Sequence, residues 1–183
     1  MALEGKLRHP KRFITTNDDR GRAVIDTSIA ADAPFYSLPS KDAAFAQLYV
    51  TRGFPTQLSD GADLQVYQDY LRESPGLTVS GGTVLRYVDM CPGHVSPMHR
   101  TVSLDYGVVL EGEVELLLDS GETRVLKRGD VCIQRATMHA WRNRSPTEWA
   151  RMLYILQPVQ PLTVGGIAVE EDLGTMQGVK KSS

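Results

Sequence analysis

Pro92-Gly-His-Val-Ser-Pro-Met-His99-Arg-Thr101-Val-Ser-Leu-Asp105-Tyr-Gly107 is followed by Leu110-Glu-Gly112-Glu113, then by Gly129-Asp-Val131 and Met138-His139-Ala-Trp-Arg-Asn143. The run places two histidines and one carboxylate on short, alternating apolar segments separated by glycine turns. Alternation of this kind is the signature of half-buried strands. Two neutral imidazoles and a carboxylate have two chemical uses: they hold a divalent metal, or they move protons in a closed pocket.

Working outward, short strand-like runs are expected at 83–90, 98–103, 106–110, 113–119, 122–127, 131–135, 138–142 and 149–157. Asp119-Ser120-Gly121-Glu122 lies between two of them and reads as a hairpin turn. Closely spaced strands with glycine turns predict an all-β sandwich or small barrel over residues 78–160. No internal repeat is present, so one barrel is expected. Upstream, residues 1–77 read as an extension packed on that barrel. Within it, Val24 and Ile25 begin a strand, 33–41 is a proline-containing loop or irregular edge, and Phe45, Leu48 and Val50 mark another strand. Leu64, Tyr67, Gln68 and Leu71 recur at helical spacing behind Ser59 and Asp60 as caps, predicting one short helix. Residues 161–183 form a C-terminal segment whose Gly178-Val-Lys-Lys-Ser-Ser183 end is expected to fray.

Composition narrows the function. At 183 residues the chain is long enough to bury one substantial core. The net charge is −2 and no Lys/Arg stripe is interleaved with aromatics, which argues against a nucleic-acid partner. The charged start lacks an apolar signal region, and no apolar run reaches membrane-spanning length. Cys91 and Cys132 have no CxxC spacing and read as free thiols in apolar strands. A cytoplasmic protein without membrane contact is therefore expected.

The quoted residues resemble the two motifs of the cupin family, G-x5-H-x-H-x3,4-E-x6-G and G-x5-P-x-G-x2-H-x3-N. Gly93, His99 and Gly112 keep the first spacing, with Thr101 at the second histidine and Asp105 at the glutamate. Gly129, His139 and Asn143 follow the second, one residue shorter, with Arg135-Ala136-Thr137 in place of the Pro-x-Gly turn. The likeness covers residues 84–157 and is similar to a branch of small single-domain cupins, many encoded beside fungal natural-product genes. It implies a double-stranded β-helix (jelly-roll) barrel, commonly a homodimer, with its active centre inside. Members with intact motifs bind Fe, Mn, Ni or Zn, so His99, Asp105 and His139 are the expected ligands if a metal is bound. A hydroxyl at Thr101 is a poor replacement for imidazole, and Asp105 is one methylene shorter than glutamate.

Three readings follow. The first is a lyase, a dehydratase or decarboxylase of a polyketide or aromatic metabolite, with His139 and His99 exchanging protons and Asp105 orienting an imidazole. The second is a non-haem iron dioxygenase with a 2-His-1-Asp centre. The third is a catalytically silent binding protein, in which both histidines are merely hydrogen-bonded core groups. Thr101, Arg86, Tyr87 and Tyr154 are candidate substrate-binding residues, Arg86 and Tyr87 for an anionic or phenolic group. Arg86 and Tyr87 lie on opposite faces of one strand, and the pattern leaves open which face is inward. His94 reads as a solvent-exposed loop residue, and Trp141 as barrel packing.

Overall fold

The computed structural model describes residues 7–182; residues 1–6, at the charged start, and Ser183 lie outside the described residues. The hairpin of β1 (Ile14–Asn17) and β2 (Ala23–Asp26) precedes β3 (Phe35–Ser37) and β4 (Ala43–Thr51). After the helix α1 (Ala62–Arg72) come β5 (Thr83–Met90), β6 (Ser103–Glu111), β7 (Val114–Leu118) and β8 (Thr123–Leu126). They are followed by β9 (Val131–Arg135), β10 (His139–Asn143), β11 (Ala150–Pro158), and the small hairpin of β12 (Thr163–Val164) and β13 (Ile167–Ala168).

Two sheets enclose the core. The larger has the order β3-β4-β5-β11-β6-β9 and the smaller β10-β7-β8. Isolated bridges Val95↔Arg142 and His99↔His139 lay residues 95–99 along the free side of β10. The chain thus passes back and forth between two antiparallel layers, which is the jelly-roll barrel expected. The run expected at 98–103 is the exception: extended pairing covers 95–99, and the next strand starts at Ser103.

Each strand follows from its sequence. Along β6, Ser103, Asp105, Gly107 and Val109 are buried while Leu104, Tyr106 and Val108 are less so, the period-two pattern of a sheet with one inward face. Gly107 has no side chain because Tyr154 lies across it; an added Cβ would sit 3.1 Å from the tyrosine Cε1. At the β6–β7 turn, Gly112 takes φ +81°, and a Cβ there would also press on Ala150 at 3.0 Å.

Residues 35–51, read from sequence as part of an extension, supply β3 and β4 of the larger sheet. β4 pairs with β5 from Ala43↔Met90 to Thr51↔Thr83. Its run Ala43–Leu48 is buried throughout, so it lacks the alternation that advertises a one-sided strand. The helix begins at Gly61, with no side-chain cap, rather than at Ser59 or Asp60; Asp60 itself has a left-handed φ of 57°.

On the outward face of β5, Asp89 and Arg151 form a bidentate pair, Nε to Oδ1 and Nη2 to Oδ2, both 2.6 Å. Arg151 also donates to the Arg8 carbonyl and lies beside the rings of Phe35 and Tyr87.

Asn143 ties the end of β10 to its surroundings. Its Nδ2 donates to the carbonyls of Met90, Cys91 and Glu148 at 2.8–3.1 Å, and its Oδ1 accepts from Ser145 N. Asn143→Ala is expected to cost about 2–3 kcal/mol in urea denaturation, because buried groups lose partners they cannot replace. A loss within experimental error would contradict this account of the turn.

The C-terminal segment is tied back to the barrel. Arg100 and Asp172 exchange backbone bonds, and Arg100 Nε donates to the Glu170 carbonyl. Farther along, Ser182 bonds to Glu171 and Lys180 to Glu73. Cys91 and Cys132 are free thiols. Among the described residues no helix is long and apolar enough to cross a membrane.

Candidate active site

The His99↔His139 bridge brings the two histidines together. Each backbone N–H donates to the other's carbonyl, at 2.8 and 2.9 Å, so both side chains project from the same side of the pair. Their ring centroids are 4.3 Å apart. His99 Nδ1 lies 2.8 Å from the Pro97 carbonyl, and His139 Nδ1 lies 2.9 Å from that of Thr137. A carbonyl only accepts, so both Nδ1 atoms carry the proton and both Nε2 atoms are left as acceptors. Orientation of the imidazoles thus comes from backbone carbonyls, in place of the role expected of Asp105.

Burial also changes their protonation. His139 is pushed down to about 3, first by burial and then by the neighbouring His99. His99 is lowered by burial as well. Both rings are neutral at physiological pH, because two desolvated rings in contact resist charging.

Asp105 moves the other way. Burial raises its carboxyl to about 6, while the Ser103 hydroxyl and the Arg86 guanidinium oppose the rise. Its Oδ1 has no hydrogen-bond partner. The group best placed to exchange protons near neutral pH is therefore the carboxyl.

His99, Thr101, Asp105, His139, Arg86 and Tyr154 all line one cavity of about 410 Å3 between the sheets. The Tyr154 hydroxyl donates to Met152 Sδ at 3.0 Å, and burial raises its pKa well above the usual phenol value. Tyr87 is not among the lining residues; it sits on the outward face of β5 beside Arg151, with Leu85 and Leu153 in the same apolar cluster. The inward face of β5 carries Arg86, Val88 and Met90.

Other contributors escaped the sequence reading. Trp141, read as packing, forms part of the wall. His94 is largely covered, and its Nδ1 lies 3.2 Å from Asp42 Oδ2, both lining the cavity. Met176 comes from the C-terminal segment. A Pro-Gly-His turn gave no sign of folding back, and nothing periodic marks the segment around Met176.

The 2-His-1-Asp centre is not assembled. Among the described residues, no three His, Cys, Asp or Glu side chains stand close enough to hold a metal. Two imidazoles with a neutral threonine hydroxyl fall short of the three or four ligands of catalytic zinc and iron sites.

The family model of the cupin domain matches residues 86–156, spanning β5 through most of β11. Phomopsin biosynthesis cluster protein C′ of Diaporthe leptostromiformis is 47% identical over 161 residues, 88% of this chain and 85% of its own. The chain belongs to the cupin family. Two further relatives extend the likeness beyond the barrel motifs. Oryzines biosynthesis cluster protein J of Aspergillus oryzae is 43% identical, covering 91% of this cupin and 92% of its own chain. The cupin-domain-containing oxidoreductase srdB of Neurospora crassa is 39% identical, covering 92% and 83%.

Proposed function

We propose that this cupin is a lyase that removes water or carbon dioxide from a small, mainly apolar metabolite of a fungal biosynthesis cluster. The carrying observation is Asp105, a carboxyl poised at about 6 in the same cavity as two neutral imidazoles. In a dehydration, Asp105 takes the proton from the carbon beside a carbonyl and returns it to the departing hydroxyl. His99 and His139 accept hydrogen bonds through Nε2 from substrate hydroxyls and so orient the leaving group. Apolar walls from Val88, Met90, Trp141 and Leu156 exclude water and strengthen each polar contact. The cluster relatives support the substrate class.

The test is turnover of β-hydroxy carbonyl and β-keto acid intermediates, with products followed by mass. Activity is expected to survive excess chelator, and kcat/KM to rise with pH through a limb near 6, as Asp105 ionises to act as base. Abolition of turnover by chelation, with recovery on adding one metal, would overturn this assignment.

A second reading, oxidation in the same cavity, is favoured by relatives named cupin-domain-containing oxidoreductases. Products oxidised relative to substrate, with matching consumption of oxygen or a nicotinamide, would establish it instead.

A further inference from the structure

Arg86 is fully enclosed by the barrel, and burial lowers its pKa. A buried guanidinium ordinarily has a carboxylate against it, since an unpaired charge in an apolar interior is costly. The contrast within this protein is direct. On the outward face of β5, Arg151 is clasped by Asp89 through two 2.6 Å bonds. On the inward face, no carboxylate lies within ion-pair distance of Arg86 among the described residues. Its bonds run from one nitrogen, Nη2, to the Gly76 carbonyl at 2.6 Å and to Gln47 Oε1 at 3.4 Å. Nε has no partner, and none is found for Nη1 among the described residues. Asp105 attracts Arg86 without bonding to it, and its own Oδ1 is also unpartnered. Both side chains line the same cavity, with Phe45 and Leu156 among its apolar walls.

We propose that Arg86 is the anion subsite of this cavity, taking the carboxylate, or the enolate oxygen, of an otherwise apolar ligand. An anionic oxygen supplies the hydrogen-bonded counter-charge that Asp105, which attracts Arg86 without touching it, does not, and a guanidinium is the side chain best shaped for it. The apolar remainder of the ligand lies along Val88, Met90 and Trp141, and a hydroxyl near the anionic end donates to Asp105 Oδ1. This deepens the lyase reading and rests on it for the catalytic consequence: an oxygen becoming negative beside Arg86 is stabilised as the carbon proton leaves. Binding itself does not depend on turnover.

The test is calorimetric titration with benzoate and, as its uncharged counterpart, benzyl alcohol. Wild-type protein is expected to bind benzoate at least tenfold more tightly, the size of one charge-assisted hydrogen bond. Arg86→Met is expected to erase that preference while changing benzyl alcohol affinity no more than about twofold, since a methionine keeps the apolar contacts. Should that variant fail to fold, Arg86→Lys is used. It retains the charge but not the fork, and is expected to keep part of the preference. Equal binding of the two probes in the wild type, absence of saturable benzoate binding, or a preference that survives in folded Arg86→Met overturns the subsite. Arg86-dependent benzoate binding in a protein with no lyase turnover sustains the subsite and removes the lyase reading.

Discussion

Asp105→Asn is expected to cost at least a hundredfold in turnover while making the protein more stable at neutral pH. The activity loss follows from removing the cavity carboxyl that exchanges protons near 6, since a positioned acid or base is typically worth about that much or more. The stability gain follows from linkage. Folding raises this carboxyl from 3.8 to about 6, chiefly through burial. A raised pKa means that the folded protein binds the proton more tightly than the unfolded chain. The favourable contribution is complete below 3.8 and is lost as pH rises through 6, leaving a buried charge at pH 7. That penalty is at most roughly 3 kcal/mol, and a neutral amide escapes it. Urea denaturation at pH 5 and pH 8, beside turnover at each, separates the two effects. Full activity in Asp105→Asn, or wild-type stability that does not fall between those pH values relative to the variant, would refute the assignment.

Asp89→Ala is expected to be the most damaging substitution for the fold, at about 3–5 kcal/mol. It strands Arg151, whose side chain is 6% exposed, beside the rings of Phe35 and Tyr87 with, among the described residues, only the Arg8 carbonyl as acceptor. Removing one member of a buried pair leaves an uncompensated charge, whereas replacing both with apolar groups is far milder. The double variant Asp89→Ala/Arg151→Met should recover most of the loss. Protein that remains folded should keep its specific activity, because Asp89 and Arg86 point to opposite sides of β5. A melting temperature unchanged in Asp89→Ala would show that the pair carries no net energy.

The contrast along β5 also marks how far the sequence could be read. Alternation there separated Arg86 from Tyr87 but could not say which faces inward, since both faces are largely covered and each carries a charge. The strands beyond β5, the β7–β8 hairpin and the two histidines were legible because period-two patterning and glycine turns are local signals. β4 was harder, its apolar run being buried on both sides. The loop bearing His94 and the stretch around Met176 were not legible at all. Backbone bonds such as those between Arg100 and Asp172 hold them, and any residue type can make such bonds. The roles of the site residues depended on distance: Asp105 shares a cavity with the histidines, yet Pro97 and Thr137 orient them.

The tied-back C-terminal segment has a consequence for how the barrel holds its contents. Thr175, Met176 and Gln177 form part of the cavity wall, and the segment that carries them is fastened by the Arg100–Asp172 backbone pair, by Arg100 Nε on the Glu170 carbonyl, and by Leu173 and Val179 packed against the core. Segments without a sheet ladder generally open more readily than the strands they cover. A ligand packed against Met176 gains or loses that contact as the segment moves, while the sheets stay folded.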